Sequence, residues 1–247
     1  MAIIDRHLAS AAARSPVGRA SAAAEGLVGG SSASCALAAT TLMLSMINAG
    51  LGKHGRPVLA AFAAYLALGE VSEARSQPAV LGRYVFIGAT TGVLYALDSD
   101  SGCTLWGFRA ASGIRGGAVI GEAAGTAAVF FSDGAANVYA VNAQSGKLIW
   151  KVRPVDHFAA LATATPPYYK GVLYQAFSSF EEGISADPKY QCCTFRGSVV
   201  ALSAANGDTL WQTFTIPDPA RPTLMSPAGT QQYGPSGAAV WATPHYR

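Results

Sequence analysis

The chain has 247 residues, of which 51% are hydrophobic and 13% charged, so it can bury a sizeable core, and this composition argues against disorder over most of its length. Its formal net charge of +3 is too small to indicate a nucleic-acid partner. Its four cysteines include no C-x-x-C spacing, which argues against zinc, thioredoxin-type and haem sites.

Residues 1–77 are rich in Ala, Ser and Gly and are interpreted as a leader without a convincing strand. The apolar run SCALAATTLMLSMINAGL (34–51) follows a stretch with three arginines, as in a secretory signal or a weak membrane helix, although its Ser, Thr and Asn content argues against a firm span. Alternatively, the start of translation is mis-assigned. The segment PVLAAFAAYLALGEV (57–71) predicts a short helix.

Residues 78–247 contain a repeated pattern of strand, turn, glycine and tryptophan. Tryptophan follows glycine by four residues in each of the three copies, VLYALDSDSGCTLW (93–106), NVYAVNAQSGKLIW (137–150) and SVVALSAANGDTLW (198–211). We expect an Asp, Asn or Ser side chain to begin each turn by bonding nearby backbone N–H groups, and the glycine to supply a positive φ. Because each copy is preceded by further predicted strands, one unit of about 44 residues predicts a four-stranded propeller blade.

The third unit contains an insertion. The distance between successive tryptophans rises from 44 to 61 residues, and the extra residues lie around SSFEEGISADPKYQCC (178–193). Repeat proteins carry such insertions in loops on one face, often the binding face. Here the insertion ends in two adjacent cysteines, Cys192 and Cys193. A bond between them needs an oxidising compartment, and the alternative is two buried free thiols.

Together with GTQQYGPSGAAVWATP (229–244), the repeat and the Cys-Cys-x-x-Arg-Gly segment resemble the pyrroloquinoline quinone (PQQ)-dependent alcohol dehydrogenases, and more narrowly their polyvinyl-alcohol dehydrogenase branch. The resemblance covers roughly residues 75–247. It implies an all-β fold, a partial eight-bladed β-propeller with about three visible PQQ repeats, behind an irregular or helical leader. It also implies oxidation of an alcohol to a carbonyl in the periplasm or outside the cell, with PQQ and Ca²⁺ as cofactors and cytochrome c or a similar electron acceptor as partner.

The resemblance also assigns cofactor contacts. Cys192 and Cys193 would form a disulfide ring over one face of the flat cofactor. Arg196 would bind one of its carboxylates, because a guanidinium group matches a carboxylate with two parallel hydrogen bonds. The alternative is that Arg196 is a surface residue on a strand. Ser236 and the backbone around Gly237 match the family segment that contacts the cofactor.

The metal site and the catalytic base are less defined. Ala238 and Ala239 stand where methanol-oxidising relatives have an acidic calcium ligand. Glu181 and Glu182 could supply oxygen ligands, although we favour solvated loop acids for both. The catalytic base is expected beyond residue 247, so the chain is interpreted as a partial sequence that would not turn over alone.

Other candidates have weaker support. A polar turn is favoured over a catalytic role for Asp156 and His157, and Tyr233 could line the site. Cys103 is either free or paired with a cysteine not in this chain. The rival interpretation is a non-catalytic propeller that serves as a protein-binding scaffold in the cell envelope. Such a scaffold has no use for a disulfide between adjacent cysteines beside an arginine. A sensor propeller anchored by residues 27–52 is a further alternative.

Overall fold

The computed structural model describes residues 27–28, 74 and 76–245, and its regular secondary structure is almost all β-strand. The helix predicted over 57–71 and the apolar run over 34–51 lie outside the described residues, and the division of the chain at residue 77 stays a prediction. In the part of the chain that the structure describes, no helix is both long and apolar enough for a membrane span.

Three antiparallel sheets follow one another along the chain, and we call them the first, second and third blades. The first blade contains β1 (Leu27–Val28), β2 (Ala79–Leu81), β3 (Tyr84–Gly88), β4 (Val93–Asp98) and β5 (Thr104–Arg109), with β1 added outside β5. The second contains β6 (Val119–Ala123), β7 (Thr126–Ser132), β8 (Val138–Asn142) and β9 (Leu148–Val152). The third contains β10 (Ala160–Leu161), β11 (Tyr168–Tyr169), β12 (Val172–Ser179), β13 (Ser198–Ser203) and β14 (Thr209–Phe214).

Two further elements complete the described part of the chain. A one-turn helix, α1 (Glu181–Ile184), follows β12, and a hairpin of β15 (Arg221–Met225) and β16 (Gln231–Gly234) follows the third blade. Within each blade the consecutive strands pair in order, as in a propeller blade, although β10 and β11 both pair with β12.

The alternation of side chains in the second blade explains how the blades stack. Because successive residues of a strand point to opposite faces, its strands bury apolar side chains on both sides. One set packs with the first blade and includes Val129, Phe131, Tyr139 and Val141. The other set packs with the third blade and includes Ala128, Phe130, Val138 and Ala140.

The turn chemistry of the repeat is as predicted in the first two copies. Asp98 Oδ1 accepts a 2.9 Å hydrogen bond from Ser101 N, and Asn142 Oδ1 accepts one of 2.9 Å from Ser145 N. In the third copy Asn206 Oδ1 accepts from Asp208 N instead, at 3.2 Å. The glycine of every copy has the expected positive φ, with values of 71°, 67° and 76° at Gly102, Gly146 and Gly207.

The repeated tryptophan joins each of the first two blades to the next. Trp106 Nε1 donates to Ala143 O at 3.2 Å, and Trp150 Nε1 donates to Ala204 O at 2.9 Å. Their exposures are 6% and 9%, so each indole is buried between two sheets. Antiparallel sheets of four or five strands that stack through a repeated tryptophan confirm the partial β-propeller, whereas the number of blades in a closed ring stays a prediction.

Candidate cofactor-binding site

The insertion of the third unit lies between β12 and β13, over residues 180–197, and we call it the cysteine loop. The equivalent connection in the second blade covers only residues 133–137. The cysteine loop contacts the connection between β9 and β10 and the segment that follows β16. These three segments therefore meet at one end of the third blade.

Cys192 and Cys193 are joined by a disulfide bond, and both residues are half-buried. The pair is held by backbone hydrogen bonds to the end of β16, because Tyr233 N donates to Cys192 O at 2.6 Å and Cys193 N donates to Tyr233 O at 3.4 Å. Tyr233, a candidate lining residue, therefore contacts the cysteines through its backbone. The alternative of two free thiols is wrong in this structure.

Arg196 is half-buried and is held in a fixed position. Its guanidinium carbon lies 3.9 Å from the centre of the Phe214 ring, and its Nη1 donates to Ile216 O at 3.1 Å and to Pro217 O at 2.8 Å. Among the ion pairs between described residues, none includes Arg196. Since no carboxylate within residues 76–245 pairs with this cation, Arg196 is suited to an anionic ligand.

Ser236 and Gly237 lie beside Arg196 because their segment pairs with the end of the cysteine loop. Gly237 forms a parallel β-bridge with Arg196. Gly237 N donates to Phe195 O at 2.6 Å, and Gly197 N donates to Gly237 O at 2.8 Å. Gly237 has φ of 92°, a conformation that favours glycine, and Ser236 precedes it. The structure thus brings together the five residues predicted to contact the cofactor, and their binding role stays a prediction.

Glu181 has a different environment from that of Glu182. It is 3% exposed, whereas Glu182 is exposed to solvent, so the solvated-acid interpretation is wrong for Glu181. Glu181 Oε1 accepts hydrogen bonds from Thr194 N at 2.7 Å and Tyr190 Oη at 2.8 Å, and Oε2 accepts from Phe195 N at 2.9 Å. Burial, and then the hydrogen bond and the charge of Glu181, raise the pKa of Tyr190 to about 12.

His157 lies in the connection between β9 and β10 and contacts the cysteine loop. Its Nε2 lies 3.1 Å from Thr194 Oγ1 and 3.7 Å from Glu181 Oε1, and its ring lies edge-on to Phe195 with centroids 5.3 Å apart. Burial lowers the pKa of His157, the charge of Glu181 opposes this effect, and that of Arg153 adds to it. The predicted polar turn therefore has a specific tertiary contact, which the sequence did not reveal because its partners lie in a distant segment.

The described residues do not assemble a recognisable metal site. No group of three or more His, Cys, Asp or Glu side chains within 76–245 could hold an ion. The oxygens of Glu181 already accept backbone and phenol donors, and Ala238 and Ala239 have no ligating side chain. These contacts do not favour calcium binding by Glu181 and Glu182, which stays a prediction. Cys103, in the turn between β4 and β5 of the first blade, is disulfide-bonded, so it is not a free thiol.

A family model, PQQ_2, described as outer membrane protein assembly factor BamB, matches residues 61–236. The chain belongs to this PQQ-repeat family. It is also 38% identical over 172 residues to the polyvinylalcohol dehydrogenase of Sphingopyxis sp. (strain 113P3), in an alignment that covers 68% of this chain and 26% of that protein. A polyvinylalcohol dehydrogenase of Pseudomonas sp. is 35% identical over 172 residues, covering 68% and 27%. The chain thus spans about a quarter of the length of these relatives.

Solved structures of similar shape include quinohemoprotein alcohol dehydrogenase from Comamonas testosteroni, with 17% identity, a TM-score of 0.47, and coverage of 58% of this chain and 21% of that one. BamB from Moraxella catarrhalis has 17% identity and a TM-score of 0.34, with coverage of 55% of this chain and 47% of that one.

Proposed function

We propose that the chain forms part of a PQQ-dependent dehydrogenase that oxidises alcohols, with polyvinyl alcohol or other secondary alcohols as substrates. The observation that carries this proposal is the joining of Cys192–Cys193, Arg196 and the Ser236–Gly237 segment at one end of the third blade. The similarity to two polyvinylalcohol dehydrogenases over 172 residues supports the substrate class.

The residues present fit a flat, carboxylate-bearing cofactor. PQQ has three carboxylates, and Arg196 offers a cation whose Nε and Nη2 donate to no group in residues 76–245. The Ser236 hydroxyl likewise makes no hydrogen bond to another described residue, so it can donate to a ligand oxygen. Cys192–Cys193 presents a compact apolar surface on which a ring system can pack. When bound, PQQ supplies the chemistry of hydride acceptance from the alcohol carbon.

The fixed geometry of Arg196 matters for binding because it lowers the cost of ordering the side chain. Its stacking on Phe214 and its two bonds to Ile216 O and Pro217 O hold the guanidinium before a ligand arrives. The backbone pairing of Gly237 with Arg196 holds the backbone of Ser236 next to that of Arg196. These residues bind and orient the cofactor, while none of them is assigned as the proton acceptor.

The proposal extends to location and partners. Disulfide bonds persist in oxidising compartments, so the Cys192–Cys193 bond supports a periplasmic or secreted protein. Electrons removed from the alcohol would pass to cytochrome c or a similar acceptor, and Ca²⁺ is the expected accompanying cation. The acceptor and the cation are those of the dehydrogenases that the chain resembles.

The test is a titration of the purified chain with PQQ in the presence of Ca²⁺, followed by absorbance after equilibrium dialysis. We expect saturable binding, about tenfold weaker in Arg196→Gln because a charge-assisted hydrogen bond is lost. Lys147→Gln is the matched control, since it removes the same charge from an exposed turn between β8 and β9. Absence of saturable binding to the unsubstituted chain, or equal affinity in Arg196→Gln, would contradict the proposal and favour the scaffold function, which the description of the family model supports.

A further inference from the structure

Glu181 lies near the start of the cysteine loop, and its carboxylate accepts three hydrogen bonds from residues near the end of the same loop. We propose that Glu181 is a positioning residue, which fixes the Cys192–Cys193 disulfide where it would face the cofactor, an inference that rests on the proposed function for the identity of that cofactor. Glu181 contacts neither sulfur directly. It acts on the disulfide through the residues on either side of it.

The hydrogen bonds of Glu181 bracket the disulfide in the sequence. Tyr190, whose phenol donates to Oε1, lies two residues before Cys192. Thr194 and Phe195, whose backbone N–H groups donate to Oε1 and Oε2, directly follow Cys193. One buried carboxylate therefore holds the chain both before and after the two cysteines. A loop held on both sides has few conformations left for the segment between.

Glu181 is itself fixed to the third blade. It begins α1 directly after β12, and its N–H donates to Ser179 Oγ at 3.3 Å. The preceding Phe180 N donates to Ala159 O at 3.0 Å, which joins this corner to the connection between β9 and β10. The carboxylate thus transmits the position of the sheet to the loop that carries the cysteines.

Removal of this charge should loosen the cysteine loop more than removal of an ordinary loop contact would. Backbone N–H groups that lose a buried acceptor remain without a partner, and hydrogen bonds to charged acceptors are stronger than those between neutral groups. Glutamine at position 181 is nearly isosteric but presents an amide N–H₂ to one of the donors. The substitution Glu181→Gln therefore tests the charge and the acceptor pattern with little change in volume.

The experiment measures the rate at which dithiothreitol reduces Cys192–Cys193 in the full chain without PQQ, by alkylation of the released thiols and mass spectrometry. We expect Glu181→Gln to accelerate reduction about tenfold, and to weaken PQQ binding by a similar factor. Asp133→Asn is the matched control, because Asp133 is an equally buried carboxylate that holds the turn over residues 133–137 in the second blade. It should leave the reduction rate at the value of the unsubstituted chain.

An unchanged reduction rate in Glu181→Gln would overturn the inference, and so would an equal acceleration in Asp133→Asn, since that would indicate general loosening. If Glu181→Gln does not fold, Tyr190→Phe decides the matter, because it removes one of the three hydrogen bonds. It should accelerate reduction by about two- to threefold, and an unchanged rate would again overturn the inference. The reduction assay contains no cofactor, so failure of PQQ to bind would refute the proposed function separately.

Discussion

The second and third blades are built on the same repeat, yet each connects its two middle strands in a different way. In the second blade, Asp133 is fully buried and closes a short turn by accepting from Ala135 N at 2.9 Å, Asn137 N at 3.0 Å and Tyr139 Oη at 2.7 Å. In the third blade, Glu181 is almost as buried and makes the same kind of bonds to backbone N–H and phenol donors, across the much longer cysteine loop.

In both blades a buried carboxylate orders the connection between the two middle strands. A buried carboxylate compensates its desolvation by accepting several hydrogen bonds, and it thereby orders the backbone around it. In the second blade the ordered segment is only a turn. In the third blade the same device orders a loop that contains a disulfide and ends beside Arg196, so an ordinary structural arrangement supports a candidate binding site.

The blades also differ in what covers their tryptophans. The largest expected change in the free energy of unfolding concerns these residues. Trp150 is buried against the third blade and hydrogen-bonds to Ala204 O, whereas Trp211 is half-buried and its Nε1 has no acceptor among the residues that the structure describes. We expect Trp150→Ala to lower the free energy of unfolding by about 3–5 kcal/mol, as for other buried aromatic residues. Trp211→Ala should lower it by about 1 kcal/mol.

Urea denaturation followed by circular dichroism measures both values without relying on tryptophan fluorescence. Equal losses in Trp150→Ala and Trp211→Ala would mean that the face of the third blade that carries Trp211 is as well packed as the contact between the second and third blades, and this part of the comparison would fail.

The second largest effect is expected at the two buried carboxylates, Asp133 and Glu181, which should contribute differently to the free energy of unfolding. Asp133→Ala removes the acceptor of the Ala135 and Asn137 N–H groups, of which that of Asn137 is buried, so we expect a loss of about 3 kcal/mol in the free energy of unfolding. Glu181→Ala should cost about 1–2 kcal/mol, because the loop it holds is partly exposed and can open locally. Denaturant midpoints measured side by side test this order, and a greater loss in Glu181→Ala would reverse it.

The sequence was sufficient for the blades but not for the contacts of the cysteine loop. Tryptophan spacing and turn residues have local causes, so the strands, the positive φ of Gly102 and the site of the insertion could all be predicted. The strand pairing shifts in register after Ala96, Ala140 and Ala201, once in each of the three blades. No residue type at these positions predicts this shift. The burial of Glu181 and its contact with His157 depend on how a long loop folds back over a neighbouring connection, and no periodicity encodes that.

The phenol of Tyr190 reports on Glu181 through its titration. Its pKa is raised from 10 to about 12, first by burial and then by the hydrogen bond to Glu181 and its charge. The neutral phenol is favoured in the folded chain, so the stability it contributes is complete below pH 10 and is lost as the pH rises to about 12. Absorbance at 295 nm should show a late phase that is absent in Tyr190→Phe and shifted to lower pH in Glu181→Gln.

Tyr174 provides an internal control for that titration. Its pKa is also raised, mainly by burial, and Glu181 is not among the causes. The phase that disappears in Tyr174→Phe should therefore keep its midpoint in Glu181→Gln. If both phases moved together, the substitution would have loosened the whole third blade, and the titration would no longer separate the cysteine loop from the sheet.

The smallest expected effect is in the titration of His157, and it tests the sign of the coupling to Glu181. Burial lowers the pKa of His157 below 6.5, and the charge of Glu181 partly restores it. Because the neutral imidazole is favoured in the folded chain, the stability contributed by His157 falls as the pH decreases below 6.5. Glu181→Gln removes the opposing charge, so the midpoint of the imidazole shifts measured by NMR should fall further. A rise in that midpoint would show that His157 has become more exposed to solvent, and that Glu181 affects it by holding the loop in place more than by its charge.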